Sequence, residues 1–208
     1  MLYNDSKIWV QYVIHVKGAE GTLDKDSRDQ ASKCVQPGQY HTNRGVTFCD
    51  FKARAQSLGI TPVTYERFLQ LTAEEGAKFL YSYYKDVNGD QFPDSLGLAM
   101  TESGWLSGIN RAWKNLYKTL ENLGQTATTK DEAIQKVKMF DEKTIFSEYM
   151  KVFKDYITFL GNSPKYSMYK VGWLNRLKRF YDQFNPDVIG QKKNRGITLE
   201  DLINNLFK

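Results

Sequence analysis

No apolar run in this chain approaches the ~18 residues of a membrane-crossing helix, so no segment is predicted to span a bilayer. The longest apolar stretch near the N-terminus, Ile8 to Val16, is broken by Gln11 and His15 and follows an opening that contains Asp5. It lacks a basic n-region and a small-residue cleavage site and is not read as a signal peptide. The expectation is a protein made in the cytoplasm and carried by other means to any substrate outside it. Histidine is equally scarce. With His15 and His41 alone, a zinc amidase is short of ligands, and His15 falls on a predicted helix, where a packed or surface histidine is the ordinary outcome. Two cysteines, Cys34 and Cys49, flank a loop-like stretch and would pair in an oxidising compartment; synthesis in the cytoplasm makes two free thiols the default expectation. Both stand close to His41 in sequence, whereas a Cys–His peptidase takes its base from a distant segment. Gly and Pro, 15 and 5 residues, are too sparse for a linker-dominated chain.

What is present describes a globular domain. The 208 residues are 41% hydrophobic and 14% aromatic, enough to bury a sizeable core in one domain or two interlocked lobes. The formal charge of +5 and sequence pI near 9.0 favour a polyanionic partner: nucleic acid, an anionic membrane or an anionic cell wall. A lysine excess kept for solubility explains the same charge.

Helical periodicity dominates after residue 64. Ile145, Phe146, Tyr149, Met150, Val152, Phe153, Tyr156, Ile157 and Leu160 recur at three- and four-residue steps, as do Met168, Val171, Leu174, Leu177, Phe180, Tyr181 and Phe184. Thr72-Ala-Glu-Glu75 reads as a capping box, and Thr198-Leu-Glu-Asp201 opens a last short helix. Helices are predicted near 7–19, 48–58, 64–71, 73–85, 95–106, 109–123, 130–138, 144–160, 167–184 and 198–206, giving a mainly α protein. Residues 20–46 hold Gly21, Pro37, Gly38 and Gly45 among polar residues without helical period; such a segment is functional or a short β-hairpin region. The stretches 87–94 and 185–197 read as turns. Asp86-x-Asn88-Gly-Asp90 begins like a calcium loop, but its glycine is misplaced and Gly97 stands where a bidentate Glu is required. Lys165, Lys170, Arg176, Lys178 and Arg179 alternate with aromatics and suit a solvated helix face or a surface drawn to an anionic wall as well as a nucleic-acid interface.

Glu20 sits in Gly18-Ala-Glu-Gly21, at the end of the first predicted helix, where glycines let the chain turn and keep the space before the acid open. Glycosidic cleavage needs a carboxylic acid to protonate the leaving oxygen and a second carboxylate to activate water or stabilise the oxocarbenium-like centre. Asp24, Asp26 and Asp29 follow within reach. Solvated loop acids would give the same local pattern.

A longer set of motifs selects among these. Glu20-Gly21-Thr22, Asp29 and Thr42-Asn43-Arg44-Gly45-Val46-Thr47 resemble the first motif of the family 108 glycoside hydrolases, the muramidase-type endolysins common in bacteriophages. Leu71 to Glu75 followed by Tyr84-Lys85-Asp86 is similar to that family's helix ending in Tyr-Trp-Asp. Glu102-Ser-Gly-Trp-Leu-Ser-Gly108 is similar to its Asp-x-x-Trp-Ala-Ser-Gly, and Gly172-Trp173-Leu174-Asn175-Arg176 to the Gly-Trp-x-Asn-Arg of an accompanying segment described as peptidoglycan-binding. The resemblance implies a lysozyme-like fold, with a catalytic lobe over 1–94 and a helical, peptidoglycan-binding-like lobe over 95–208. It implies a monomer that hydrolyses the β-1,4 bond between N-acetylmuramic acid and N-acetylglucosamine of bacterial peptidoglycan, as a phage endolysin or virion-associated enzyme, without metal, cofactor or nucleic acid. Glu20 would be the proton donor, with Asp29 and Thr42 holding water; Tyr40, His41, Asn43, Glu102 and Trp105 are candidates for contact with substrate. The chain departs from the family pattern at Thr22, Lys85 and Glu102, and in an insertion bearing Cys34 between Asp29 and Thr42, which keeps Asp24 and Asp26 as rivals to Asp29. A lytic transglycosylase, or a wall-binding or virion-structural module that has lost the chemistry, are the alternatives.

Overall fold

The computed structural model describes Ile8, Gln11, Tyr12 and residues 23–194, with side chains to residue 190. The helices expected at 7–19 and 198–206, and Glu20 itself, lie outside the described residues, apart from those three. The fold is mainly α with one small antiparallel sheet. Its strands are β1 (Leu23–Asp24), β2 (Thr42–Asn43) and β3 (Val46–Thr47), in the order β1-β2-β3. The helices that follow are α1 (Phe48–Arg54), α2 (Tyr65–Leu69), α3 (Ala73–Asp86), α4 (Asp94–Ser107), α5 (Ile109–Asn122), α6 (Lys130–Val137), α7 (Glu142–Gly161), α8 (Lys170–Phe184) and α9 (Pro186–Asn194). Among the described residues no helix is long and apolar enough to cross a membrane. The chain divides into two compact units, residues 1–82 and 83–208.

In the first unit the helices start where side chains cap them. Thr47 accepts from the Asp50 N–H at 3.1 Å to open α1. Thr72 and Glu75 exchange the two bonds of the expected capping box at the head of α3, at 3.0 and 3.2 Å. The apolar interior is aromatic: Phe68 packs its ring 5.1 Å from Phe48 and 5.6 Å from Phe51, and Tyr65 meets Phe48 edge-on at 5.3 Å. α1 stops earlier than periodicity suggests, giving way to a 3-10 turn at Gln56–Leu58 that ends on Gly59 in the left-handed region (φ 72°).

In the second unit α4 is the central helix. Every residue from Ser95 to Gly104 is buried, and α5 and α7 pack against it. The 3-10 turn Gly89–Gln91 ahead of it also comes close: a methyl group at Gly97 would lie 2.7 Å from the Gly89 carbonyl oxygen. The first turn of α4 lacks a side-chain cap of its own, and the Ser95 N–H donates instead to Glu142 of α7 at 2.9 Å. Predicted apolar stripes bury well in α7, where Ile145, Phe146, Tyr149, Met150, Val152, Phe153 and Ile157 are all covered.

Two expectations are corrected. The stripe predicted from Met168 to Phe184 is buried only at Leu177, Phe180 and Phe184, while Met168, just ahead of α8, Val171 and Tyr181 are 51%, 69% and 41% exposed. Apolar spacing alone does not say how far a helix overlaps its neighbours. Residues 186–194, read as a turn, form α9. Its start carries strong local signals: Asn185 accepts from the Val188 N–H at 3.1 Å, and Pro186 takes the first helical position, where no N–H is needed.

Candidate functional site

The sheet of the first unit gathers the sequence-predicted residues. Antiparallel pairing sets Asp24 opposite Thr42 and Thr42 opposite Thr47, while Leu23, Asn43 and Val46 form the alternate row. Residues paired across strands share a face and neighbours along a strand alternate, so Asp24, Thr42 and Thr47 line one side of the sheet. The other side is turned inward at Asn43 and Val46, which are 3% and 0% exposed.

This explains Thr42-Asn43-Arg44-Gly45-Val46-Thr47 position by position. Asn43 donates from Nδ2 to the Phe68 carbonyl at 2.8 Å. Arg44 and Gly45 take φ of 53° and 80°, the pair of positive values that a two-residue hairpin matched to strand twist requires. Arg44 bears the cost of a left-handed conformation outside glycine and is tied down by its Nε–H to the Leu71 carbonyl, at 2.7 Å. Val46 enters the core, and Thr47 starts α1.

Asp29 caps the 3-10 turn Gln30–Cys34, accepting from the Ala31 N–H at 2.8 Å. That turn ends at Cys34, which forms a disulfide with Cys49 in α1. The expectation of two free thiols is thereby corrected: the insertion between Asp29 and Thr42 is folded back and bonded to the helix that follows β3. A cross-link over 15 residues removes about 3 kcal/mol of loop entropy from the unfolded chain. Cys34→Ser with Cys49→Ser is therefore expected to lower stability by about 2–4 kcal/mol. Urea unfolding of the oxidised wild type and the double variant checks this; coincident curves would show that the bond contributes nothing.

One carboxylate oxygen each from Asp24 and Asp29 and one ring nitrogen of His41 lie within 4.8 Å of one another. Asp24 is exposed and Asp29 half-buried, while His41 has no exposed surface. The trio has the composition of a cation site, but both imidazole nitrogens are already engaged. Nε2 lies 3.0 Å from the Asp26 carbonyl oxygen and Nδ1 lies 2.9 Å from Thr42 Oγ1, so an ion could reach neither without displacing a partner. As arranged, the site gathers two carboxylates and a hydroxyl around a buried histidine.

Asp26 is occupied elsewhere. Arg28 grips both its oxygens, at 2.8 and 2.6 Å, and these hydrogen bonds, helped by the guanidinium charge, hold its carboxyl down at about 2. Of the rivals to Asp29, Asp24 stands with it and Asp26 does not. Nothing local in the sequence marks Asp24, because its neighbour Thr42 comes from another strand.

The remaining candidates fall in different surroundings. Tyr40 is half-buried, its backbone clamped by Tyr65, whose hydroxyl accepts from the Tyr40 N–H at 2.8 Å and donates to its carbonyl at 3.2 Å. In the second unit, Trp105 is half-buried and meets Tyr83 edge-on at 5.3 Å. Glu102 has no exposed surface; its Oε1 accepts from Arg176 Nε at 2.5 Å, and Arg176 is itself 5% exposed. The two segments that bear resembling motifs, in α4 and α8, thus meet in a buried ion pair, where Glu102 is out of reach of a glycan. The basic residues of α8 are drawn into local contacts as well, Lys178 with Asp182 at 2.6 Å and Lys170 with Asn162 at 2.6 Å.

No protein-family model matches the chain and no curated protein matches it in sequence, so the resemblance to family 108 rests on the motifs themselves. Among solved structures, SagA of Brucella abortus is similar, with a TM-score of 0.63 at 21% identity over 88% of this chain and 98% of that one. The likeness extends to nearly the whole of that protein and shows a shared fold.

Proposed function

We propose that this chain is a muramidase, hydrolysing the β-1,4 bond between N-acetylmuramic acid and N-acetylglucosamine in bacterial peptidoglycan. Glu20 donates the proton to the leaving oxygen, and Asp29, beside Asp24 and Thr42, holds the attacking water. The observation that carries the proposal is the convergence of Asp29 with the His41–Thr42 pair despite the insertion between them. The Cys34–Cys49 disulfide suits work outside the reducing cytoplasm, where peptidoglycan lies. A phage-type release or delivery would place the enzyme there.

The test is digestion of purified peptidoglycan by the oxidised chain, followed by mass spectrometry of the fragments. New reducing N-acetylmuramic acid ends are expected. Anhydro-muramic ends would identify a lytic transglycosylase instead, and intact glycan strands would leave a binding or structural module.

A further inference from the structure

The surroundings of His41 go beyond a packed histidine. Its Nε2 faces the Asp26 carbonyl oxygen at 3.0 Å, an atom that can only accept, so Nε2 carries the hydrogen. The same carbonyl accepts the Asp29 N–H at 2.9 Å, which ties the imidazole and the start of the Asp29 turn to one oxygen. In a neutral imidazole the other nitrogen then has only a lone pair, so Nδ1 can meet Thr42 Oγ1, 2.9 Å away, only if the hydroxyl donates. With the ring fully buried, no solvent competes for either nitrogen.

From this geometry we infer that His41 is a positioning residue that fixes the Thr42 hydroxyl as a pure acceptor for the attacking water. The inference rests on the hydrolase proposal above, in which Thr42 touches that water. A threonine hydroxyl has one hydrogen. Once it is given to His41, any water beside Thr42 must donate to it, and the ionised carboxylates of Asp24 and Asp29 likewise can only accept. Asp24 is paired directly with Thr42 across the strands, a placement that sets side chains on one face with Cβ atoms roughly 4.5–5.5 Å apart, and an Asp29 oxygen lies within 4.8 Å of the same group of Asp24 and His41 atoms. A water with both hydrogens committed to Thr42 and a carboxylate presents its own lone pair outward, the electrons that must form the bond to the anomeric carbon. A free Thr42 rotor would also offer its hydrogen to the water and leave it turned away for part of the time. His41 itself touches no substrate.

The experiment has a spectroscopic arm and a kinetic arm, both on the full oxidised chain. Long-range proton–nitrogen NMR of the imidazoles, assigned with His15→Gln, is expected to show His41 as the Nε2–H tautomer at neutral pH; an Nδ1–H tautomer overturns the inference. On purified peptidoglycan, His41→Leu is expected to lower kcat by about tenfold with KM within about twofold. His41→Asn, whose amide oxygen can still accept from Thr42, should restore most of that loss. Thr42→Val should cost no more with His41→Leu than without it, and additive losses or a wild-type kcat for His41→Leu overturn the inference. If leucine at this buried position prevents folding, the tautomer and the asparagine variant still decide. A wild-type chain that cuts no glycan sinks the hydrolase proposal, whereas the wrong tautomer sinks this one alone.

Discussion

Glu20→Gln is expected to slow glycan cleavage by about 10²–10⁴-fold, the usual worth of a positioned proton donor, while leaving the affinity for peptidoglycan unchanged. The amide matches the acid in size and can still hydrogen-bond to a sugar, but it has no proton to give to a departing alkoxide. Binding and cleavage therefore separate, and pelleting with purified cell walls alongside release of reducing ends measures the two. Equal cleavage by wild type and variant would remove Glu20 from the mechanism. Asp29→Asn should cost less than Glu20→Gln, because Asp24 offers a second carboxylate within 4.8 Å of the same ring nitrogen. Asp26→Asn should leave cleavage near wild type, since its carboxylate is engaged by Arg28. This order among three neighbouring aspartates distinguishes the arrangement seen here from any acid in the loop being sufficient.

The largest loss of stability is expected from Arg176→Met. Glu102 has no exposed surface and accepts from Nε and Nη2 of Arg176 at 2.5 and 3.3 Å. Taking both charges out of water is expensive, and their mutual attraction offsets much of that cost only while both are present. Removing the guanidinium alone takes the opposite charge away from a fully buried carboxylate and should cost about 3–5 kcal/mol. Glu102→Leu combined with Arg176→Met removes both buried charges and should recover much of that loss, a sign of coupling that a double-mutant cycle by urea unfolding reads directly. Additive losses would mean that the two side chains act separately. Because the pair joins α4 to α8, cleavage by the single variant should fall only as its folded fraction falls.

The ease with which different features were read from the residues follows the distance over which each is determined. Capping at Thr72 and Glu75 and the apolar stripe of α7 are local, since helical geometry brings positions three and four apart onto one face whatever the rest of the chain does. The start of α9 is equally local, at Asn185 and Pro186, but the glycine and asparagines of the same segment carry the competing signal of a turn. The stripe from Met168 to Phe184 shows the opposite limit, periodic along its length yet exposed at Met168, Val171 and Tyr181, because burial depends on which neighbours pack against each position.

For the candidate site, the sequence by itself determined the residue types: an acid beside glycines, aspartates after it, and a Thr-Asn-x-Gly-Val-Thr hairpin whose glycine and threonines each have a local reason to be there. Only the tertiary structure decided which of them meet. Strand pairing set Asp24 opposite Thr42, the Cys34–Cys49 bond folded the insertion back, and packing closed water away from His41 and set its ring nitrogens against the Asp26 carbonyl and the Thr42 hydroxyl. It also carried Glu102 away from any substrate and into a pair with Arg176. Backbone geometry transmits a pattern over a turn of helix or a hairpin, but a contact between distant segments depends on how the whole chain shares its buried surface.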